Sequence, residues 1–174
     1  HGLATEIMTL AVVTTTAGGI NVVDVTALTI GHIGVLSVQR VNTDASLTAH
    51  LDAVSLEGLS SAGNGAIIVH TIADGLLVEQ PVNVHGSGNV LLHSAADVVI
   101  ESTVQSSSGQ ISVVGAMDIS QAGAGDIKTG GNGTIDVEAI GGSINMADGA
   151  QASTNNANIR YQAATDLALG GIAA

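Results

Sequence analysis

The chain has 174 residues, of which 45% are hydrophobic, yet it contains no Phe or Trp and only one Tyr and one Pro. Its formal net charge is −12, and only three basic residues face 15 acidic ones, which argues against nucleic acid or an anionic membrane surface as a partner. The absence of cysteine excludes a disulfide framework and a thiolate metal site. No apolar run approaches the roughly 18 residues of a membrane span, so membrane insertion is not predicted.

The core of this protein has to be built from aliphatic residues, because aromatic side chains are almost missing. Val, Ile, Leu and Ala suit a narrow interior of uniform, repeated layers. β-branched residues favour strands, and the 23 glycines with many Thr, Ser, Asn and Asp residues indicate frequent turns. The composition therefore predicts an all-β fold, and residues 1–174 are predicted to form one solenoid segment of a longer protein or an end-to-end fibre.

Similar segments recur along the whole chain, and the search for such repeats decides the fold. In chain order they read GLATEIMTLAV (2–12), NVVDVTALTIG (21–31), SLTAHLDAVSLEG (46–58), GAIIVHTIADGLLVEQ (65–80), GNVLLHSAADVVIES (88–102), GQISVVGAMDISQ (109–121), GTIDVEAIGGSINM (133–146) and NIRYQAATDLAL (158–169). Their first apolar residues, which set the register, are Leu3, Val22, Leu47, Ile67, Val90, Ile111, Ile135 and Ile159. The mean interval is roughly 22 residues, as in solenoids whose strands are constant and whose loops vary.

Two sets of residues keep a fixed distance from these register positions. Glycine stands two residues before the register position in four successive units, at Gly65, Gly88, Gly109 and Gly133. A polar residue directly precedes it at Asn21, Ser46, Asn89, Gln110, Thr134 and Asn158. Glycine permits the positive φ of a sharp corner, and stacked polar side chains satisfy backbone groups of the neighbouring turn. These columns predict a parallel β-helix of about eight coils, with an ordinary β-sandwich as the alternative.

The segment GTIDVEAIGGSINMADGAQASTNNANIRYQAATDLAL (133–169) resembles repeats of filamentous-haemagglutinin-like proteins and giant bacterial surface adhesins. The shared pattern is Gly-x-Ile-x-Val followed by small polar turns, and the resemblance extends from residue 65 onward. It implies a right-handed β-helix with a structural or adhesive role at a cell exterior, where surface glycans or other cells are the partners. The NPNG and NPNL motifs of the secretion domains are absent, so the chain is expected to be a repeat segment rather than an export module.

Three histidines occupy the same repeat position, three residues after the register position. If the register residue points inward, this position points outward, so the rings are expected to form a ladder on one outer face. Imidazole suits zinc, copper and nickel, which makes this ladder a candidate transition-metal site. The alternative is a plain exposed column, since Val25, Val114 and Gln162 stand at the same position. The histidines are His50, His70 and His93, with Glu6 and Glu138 predicted in the same column.

A second repeat position carries aspartate seven residues after the register position, with Gly142 as an interruption. Asp is typical of turns, where its side chain bonds to nearby backbone. Stacked carboxylates repel each other, and Ca²⁺, which takes oxygen ligands, would relieve that repulsion. No cofactor is predicted to be required, and calcium is the alternative. The candidate calcium ligands are Asp74, Asp97, Asp118 and Asp166.

Catalytic patterns are weak in this chain, and no enzyme is predicted. Polysaccharide-cleaving β-helices need clustered carboxylates with Lys or Arg in a groove, whereas this chain has three basic residues and no aromatic platform for sugars. The predicted function is a structural β-solenoid segment of an extracellular bacterial filament or surface adhesin. Two alternatives remain: a tailspike-like β-helix that binds or cleaves carbohydrate, and a calcium-dependent assembly module.

The two ends of the chain carry no amphipathic capping segment, since HGLATEIM and LALGGIAA both lack that pattern. Terminal coils of a solenoid otherwise expose apolar edge strands. Self-association end to end, or continuation by further coils, is therefore expected.

Overall fold

The computed structural model describes residues 3–51 and 54–174. Residue 1, Gly2 of the first predicted unit and residues 52–53 of the third unit lie outside the described residues. Within the described part the chain is a parallel β-solenoid of seven coils, which confirms the predicted all-β parallel β-helix. The same residues include no helix long and apolar enough to cross a membrane.

Each coil contributes three short strands. Coils 1 and 2 begin with β1 (Leu3–Thr5), β2 (Thr9–Leu10), β3 (Val12–Thr14), β4 (Ile20–Asp24) and β5 (Leu28–Ile30). An insertion follows, with β6 (His32–Ile33), β7 (Ser37–Val41), β8 (Leu47–Leu51) and β9 (Leu56–Glu57), before β10 (Leu59–Ser61) completes coil 2. Coils 3 to 7 consist of β11 (Ile67–Thr71), β12 (Leu76–Val78), β13 (Val82–Val84), β14 (Val90–Ser94), β15 (Val98–Ile100), β16 (Val104–Ser106), β17 (Ile111–Gly115), β18 (Ile119–Gln121), β19 (Ile127–Thr129), β20 (Ile135–Ala139), β21 (Ile144–Met146), β22 (Gln151–Ser153), β23 (Ile159–Ala163), β24 (Leu167–Ala168) and β25 (Gly171–Ala173).

The strands of successive coils form three seven-stranded parallel sheets. Sheet A holds the first strand of each coil, in the order β1, β4, β11, β14, β17, β20 and β23. Sheet B holds the second strands, in the order β2, β5, β12, β15, β18, β21 and β24. Sheet C holds the third strands, in the order β3, β10, β13, β16, β19, β22 and β25. The chain turns between sheets at three corners, which we call the A–B, B–C and C–A corners.

Aliphatic columns fill the interior, as the composition predicts. Burial alternates along each central strand, so the first, third and fifth residues of β11, β14, β17 and β20 point inward. Ile111 is fully buried and pairs with Val90 in the coil before it and Ile135 in the coil after it. Burying one such side chain contributes about 1.5–3 kcal/mol, repeated once per layer.

The glycine column at the C–A corner is confirmed, but its physical reason differs from the predicted one. None of the four predicted glycines has a positive φ. Instead, successive backbones approach too closely for a side chain: a Cβ on Gly88 would lie 2.5 Å from the carbonyl oxygen of Gly65. The buried hydroxyls of Ser106 and Thr129 donate to the glycine carbonyls at this corner, at 2.8 Å and 2.7 Å.

The insertion in coil 2 corrects the predicted count of eight coils. Residues 32–51 and 54–57, which we call the arm, leave the solenoid at the B–C corner and form two antiparallel strand pairs, β6 with β9 and β7 with β8. The predicted third unit, with its register position at Leu47, therefore contains β8 and β9 of the arm and is not a coil.

The predicted register also shifts in the first two coils. Ile20, not Val22, pairs with Ile67, and Leu3 pairs with Val22. From Ile67 onward the predicted register positions Val90, Ile111, Ile135 and Ile159 pair as expected.

Candidate functional site

His70 and His93 are adjacent on the outer face of sheet A. They are paired residues of β11 and β14, their ring centroids are 4.3 Å apart, and the ring planes cross at 67°. Burial and the proximity of His70 both lower the pKa of His93 below its usual value. Two imidazoles at this separation offer two nitrogen ligands on one face, which is the part of the predicted ladder that the structure brings together.

The predicted histidine ladder is wrong for His50 and Glu6, which do not lie in this column. His50 lies in the arm, where it pairs with Val38, so it does not share a column with His70 and His93. Glu6 also falls outside the column, because Ala4 and Val23 occupy those positions in coils 1 and 2. The column continues after His93 with Val114, Glu138 and Gln162, as predicted.

A cluster of charged side chains lies on the outer face of sheet A, on its last two strands, β20 and β23. Arg160 donates to both carboxylate oxygens of Asp136, at 2.6 Å and 3.1 Å, and to Glu138 at 2.7 Å. The hydrogen bonds and the charge of Asp136, together with Glu138, raise the pKa of Arg160 further above its usual value. Because these groups lie on an exposed surface, where water screens the charges, the cluster stabilises the contact between coils 6 and 7 by only a modest amount.

The aspartate column at the A–B corner contains three of the four predicted residues. Asp97, Asp118 and Asp166 are in register, with Ser143 rather than Gly142 between the last two, as their backbone bonds show. Asp74 lies one residue before the column, because its corner is one residue longer and Gly75 takes its place.

The carboxylates of this column act as hydrogen-bond acceptors between coils. Asp97 accepts the backbone N–H of Asp118 at 3.0 Å, and Asp118 accepts that of Ser143 at 2.7 Å. The carbonyl oxygen of Asp74 accepts the buried hydroxyls of Thr71 and Ser94. Among the described residues, no three or more His, Cys, Asp or Glu side chains are grouped closely enough to hold a metal ion. Calcium binding at Asp74, Asp97, Asp118 and Asp166, and transition-metal binding at the histidines, stay predictions.

The polar column before the register position stacks in four of the predicted units. Asn89 accepts the backbone N–H of Gln110 at 2.9 Å, and Gln110 accepts that of Thr134 at 2.8 Å. Asn158 continues the column, whereas Asn21 pairs with Ile68 and Ser46 lies in the arm. The side-chain oxygen of one coil therefore fixes the turn of the next.

Sequence reasoning missed a buried carboxylate, Asp24, at the end of β4. Its side chain accepts hydrogen bonds from the hydroxyl of Thr5 at 2.6 Å, from Thr26 at 2.8 Å, and from the backbone of Ile7 at 3.1 Å. Burial opposes ionisation, but these bonds outweigh it and hold the pKa of Asp24 below its usual value. The sequence could have indicated this buried polar position, because the equivalent residues of the neighbouring coils are also polar: Thr5, Thr71 and Ser94.

Two shallow depressions of the described solenoid surface are each lined by a single ionisable side chain. One lies across sheet C and the C–A corner, lined by Gln105, Ser106, Ser107, Lys128, Thr129 and Gly130. The other lies on sheet B, lined by Ala27, Leu28, Thr29, Gly75, Leu76, Leu77, Asp97 and Val99. Neither of these two depressions brings together converging carboxylates and a basic residue, which a glycan-cleaving groove requires.

Tyr161 is the aromatic residue of the chain, and it points into the interior of the last coil. Its hydroxyl donates to the side chain of Gln121, two coils earlier, at 2.9 Å. The buried amide of Gln121 in turn donates to the carbonyl of Gln151 at 3.1 Å. Burial raises the pKa of Tyr161 well above its usual value, and the bond to Gln121 opposes this only in part.

A scan against protein-family models, a search of curated proteins and a search of solved structures each found no match for this chain. The resemblance to filamentous-haemagglutinin-like repeats therefore rests on the residue pattern, and what is established is the β-solenoid fold.

Proposed function

We propose that this chain is a structural segment of an extracellular bacterial filament or surface adhesin, a rod without catalysis whose end coils are covered by further coils. In the form tested below, those coils belong to a second copy of the chain, stacked end to end. The observation that carries the proposal is the pair of open parallel edges at the two ends of the solenoid.

Each terminal coil presents three strands that are paired on one side. β1, β2 and β3 pair with coil 2, and β23, β24 and β25 pair with coil 6, which leaves the other edge of each strand open. Open parallel edges are templates for further pairing. Because strand direction is the same in all coils, the last coil of one copy and the first coil of another present complementary edges.

The inward positions of the last coil support the same interpretation. Leu167 continues the column of Ile144, which is 1% exposed, yet Leu167 is itself 44% exposed. Ile172 continues the column of Ala152 and is 43% exposed. One more coil would bury both side chains.

The extracellular location is supported by composition and resemblance. A chain with net charge −12 suits a cation-rich exterior, and its repeats resemble those of bacterial surface proteins. Side-chain ladders and close-packed aliphatic layers provide rigidity along the axis, which a filament segment needs.

Electron microscopy and sedimentation velocity of the purified chain test the end-to-end form. We expect concentration-dependent rods whose width matches a single solenoid. Leu167→Glu, which places a charge on the open end, should suppress assembly, whereas Ile140→Glu on the side of the rod, 57% exposed, should not. A wild-type chain that stays monomeric at all concentrations would contradict end-to-end self-association.

A further inference from the structure

His70 and His93 stand in an aliphatic patch on the outer face of sheet A. Four half-buried side chains surround the pair: Val23 and Val114 before and after it in the same column, and Ile68 and Leu91 two residues earlier in β11 and β14. The outward positions of β4, β11, β14 and β17 carry no carboxylate. The two imidazoles are therefore the metal-binding groups that this patch offers.

The separation of the two rings matches the geometry in which two imidazoles bind one ion side by side. His70 and His93 are directly paired in register, and their ring centroids are 4.3 Å apart. With metal–nitrogen distances of about 2.0 Å, two rings at right angles about one ion have centres about 4.5 Å apart, whereas tetrahedral angles require about 5.2 Å. Rotation about the side-chain bonds of these outward-facing residues turns one nitrogen of each ring toward a shared ion.

The nitrogen ligands select the class of ion. Ca²⁺ and Mg²⁺ take oxygen ligands, whereas imidazole suits copper, nickel and zinc. Among these, Cu²⁺ binds a given nitrogen site most strongly, and its square-planar preference matches two imidazoles at right angles. The net charge of −12 also attracts cations to the chain as a whole.

The protein supplies two ligands at this site, and the other positions are open. Among the residues that the structure describes, no third His, Cys, Asp or Glu side chain lies close enough to join the pair. The carboxylates farther along the face, Asp136 and Glu138, lie two coils beyond His93, about 10 Å along the axis, and both bind Arg160. Water or a small incoming ligand completes the coordination of an ion held by the two rings.

We propose that His70 and His93 together bind one Cu²⁺ ion, which links coil 3 to coil 4 and keeps ligand positions open to solvent. The inference concerns one face of the rod and does not depend on the proposed function. The two histidines are far apart along an unfolded chain, so an ion that binds both of them favours the folded state.

Calorimetric titration of the full, metal-free chain with Cu²⁺ tests the site, with glycine present as a weak competing ligand. We expect the wild type to bind one more ion per chain than His70→Gln with His93→Gln. Each single variant should weaken this binding at least about tenfold, since loss of even an outer partner of a metal ligand costs about that much. The matched control, His32→Gln with His85→Gln, removes two imidazoles elsewhere and should bind as the wild type does. Equal binding by the wild type and the His70 and His93 double variant would overturn the site.

Pulsed electron paramagnetic resonance of the wild type identifies the ligands without any substitution. At less than one Cu²⁺ per chain, the spectrum should show two coordinated imidazoles, and His93→Gln should reduce their number to one. Excess Ca²⁺ should leave the spectrum unchanged, because a calcium ion does not compete for nitrogen ligands. A wild-type spectrum without coordinated imidazole would overturn the proposal even if every variant failed to fold.

Thermal unfolding measures the link between the coils. Excess Cu²⁺ should raise the melting temperature of the wild type and of the His32 and His85 control more than that of the His70 and His93 double variant. Circular dichroism of the metal-free proteins checks that all of them are folded. Equal shifts in the control and in the double variant would overturn the link between coils 3 and 4.

Discussion

The solenoid body and the arm use the same strand alternation for opposite purposes. In the body, the inward residues of β17, Ile111 and Val113, lie in columns and are fully buried, and their neighbours in the coils before and after are also apolar. In β8 the same alternation leaves Leu47 and Leu51 in solvent, because β7 is the partner and no layer lies beneath. Stability therefore comes from stacking between coils, and a ribbon that leaves the stack gains none of it.

Truncating one side chain in each region should give the largest difference in stability between the solenoid body and the arm. Ile111→Ala deletes a fully buried side chain between Val90 and Ile135, and we expect a loss of about 2–5 kcal/mol of unfolding free energy. Leu47→Ala in the arm should change the stability of the monomeric body by less than about 0.5 kcal/mol. Urea unfolding followed by circular dichroism measures both, and equal losses would show that the arm is part of the core.

A methyl group added to a glycine should give the next largest difference. Gly88→Ala puts a Cβ against the backbone of Gly65, which cannot move without displacing the coil, so we expect a loss of about 1–3 kcal/mol. In Gly34→Ala the new Cβ meets, among the described residues, the ring of His32 at 4.0 Å, and the substitution should be near neutral. A neutral result for Gly88→Ala would show that the close approach at the C–A corner carries no constraint.

Acid should affect the body through Asp24. Its pKa is lowered on folding, so its stabilising contribution is present above the unfolded value near 3.8 and is lost as the pH falls through the lower folded value. The wild-type chain should therefore lose stability relative to Asp24→Asn below about pH 4. Urea unfolding between neutral and strongly acidic pH measures the difference. Asp44→Asn, which removes a carboxylate bonded to Ser46 in the arm, should not alter the unfolding of the body.

A smaller pH effect should come from the histidine pair. The pKa of His93 is lowered on folding, so the unfolded chain takes up its proton first, and stability falls as the pH drops from about 6.5 toward the lower folded value. Melting temperatures from neutral to mildly acidic pH should show this slope in the wild type. His70→Gln removes the neighbouring imidazole and should reduce the slope, and His50→Gln in the arm should leave the slope unchanged. A slope unaffected by His70→Gln would rule out coupling between the rings.

The smallest expected effect is that of a chelator. Asp97 and Asp118 already bind backbone N–H groups of the next coil, so we expect EDTA to leave the melting temperature of the body and the assembly of rods unchanged. A lower melting temperature after chelation, restored by Ca²⁺, would instead support the calcium-dependent assembly module.

The repeat pattern predicts coils 3 to 7 well, because each repeats nearly the same strand lengths around the same aliphatic positions. It fails at the arm because a ribbon strand and a coil strand share a period of two, and the arm is about as long as one coil. His50 entered the predicted ladder for this reason. The register in coil 2 was predicted two residues too late, at Val22 instead of Ile20. Val22 was still correctly predicted to point inward, since a shift of two residues keeps the same face of the strand.

The sequence predicted the aspartate column correctly wherever successive A–B corners have the same number of residues. Asp97 and Asp118 were placed in one column because their corners have the same length. Asp74 was misplaced because one extra residue at the A–B corner moves Gly75 into the column. The role of Asp24 was hidden, because burial of a carboxylate depends on hydrogen bonds from Thr5 and Thr26 that a linear pattern does not display.

Tyr161 gives the molecule a built-in optical reporter for one of its ends. The chain has one Tyr and neither Trp nor Phe, so its intrinsic fluorescence comes from Tyr161. Because Gln121 holds this ring inside the last coils, the emission reports on the folding of the C-terminal end. Circular dichroism, in contrast, averages over every strand. If the coils unfold one after another from that end, the tyrosine fluorescence changes before the circular dichroism does. The difference between the two unfolding curves then gives the order in which the coils unfold.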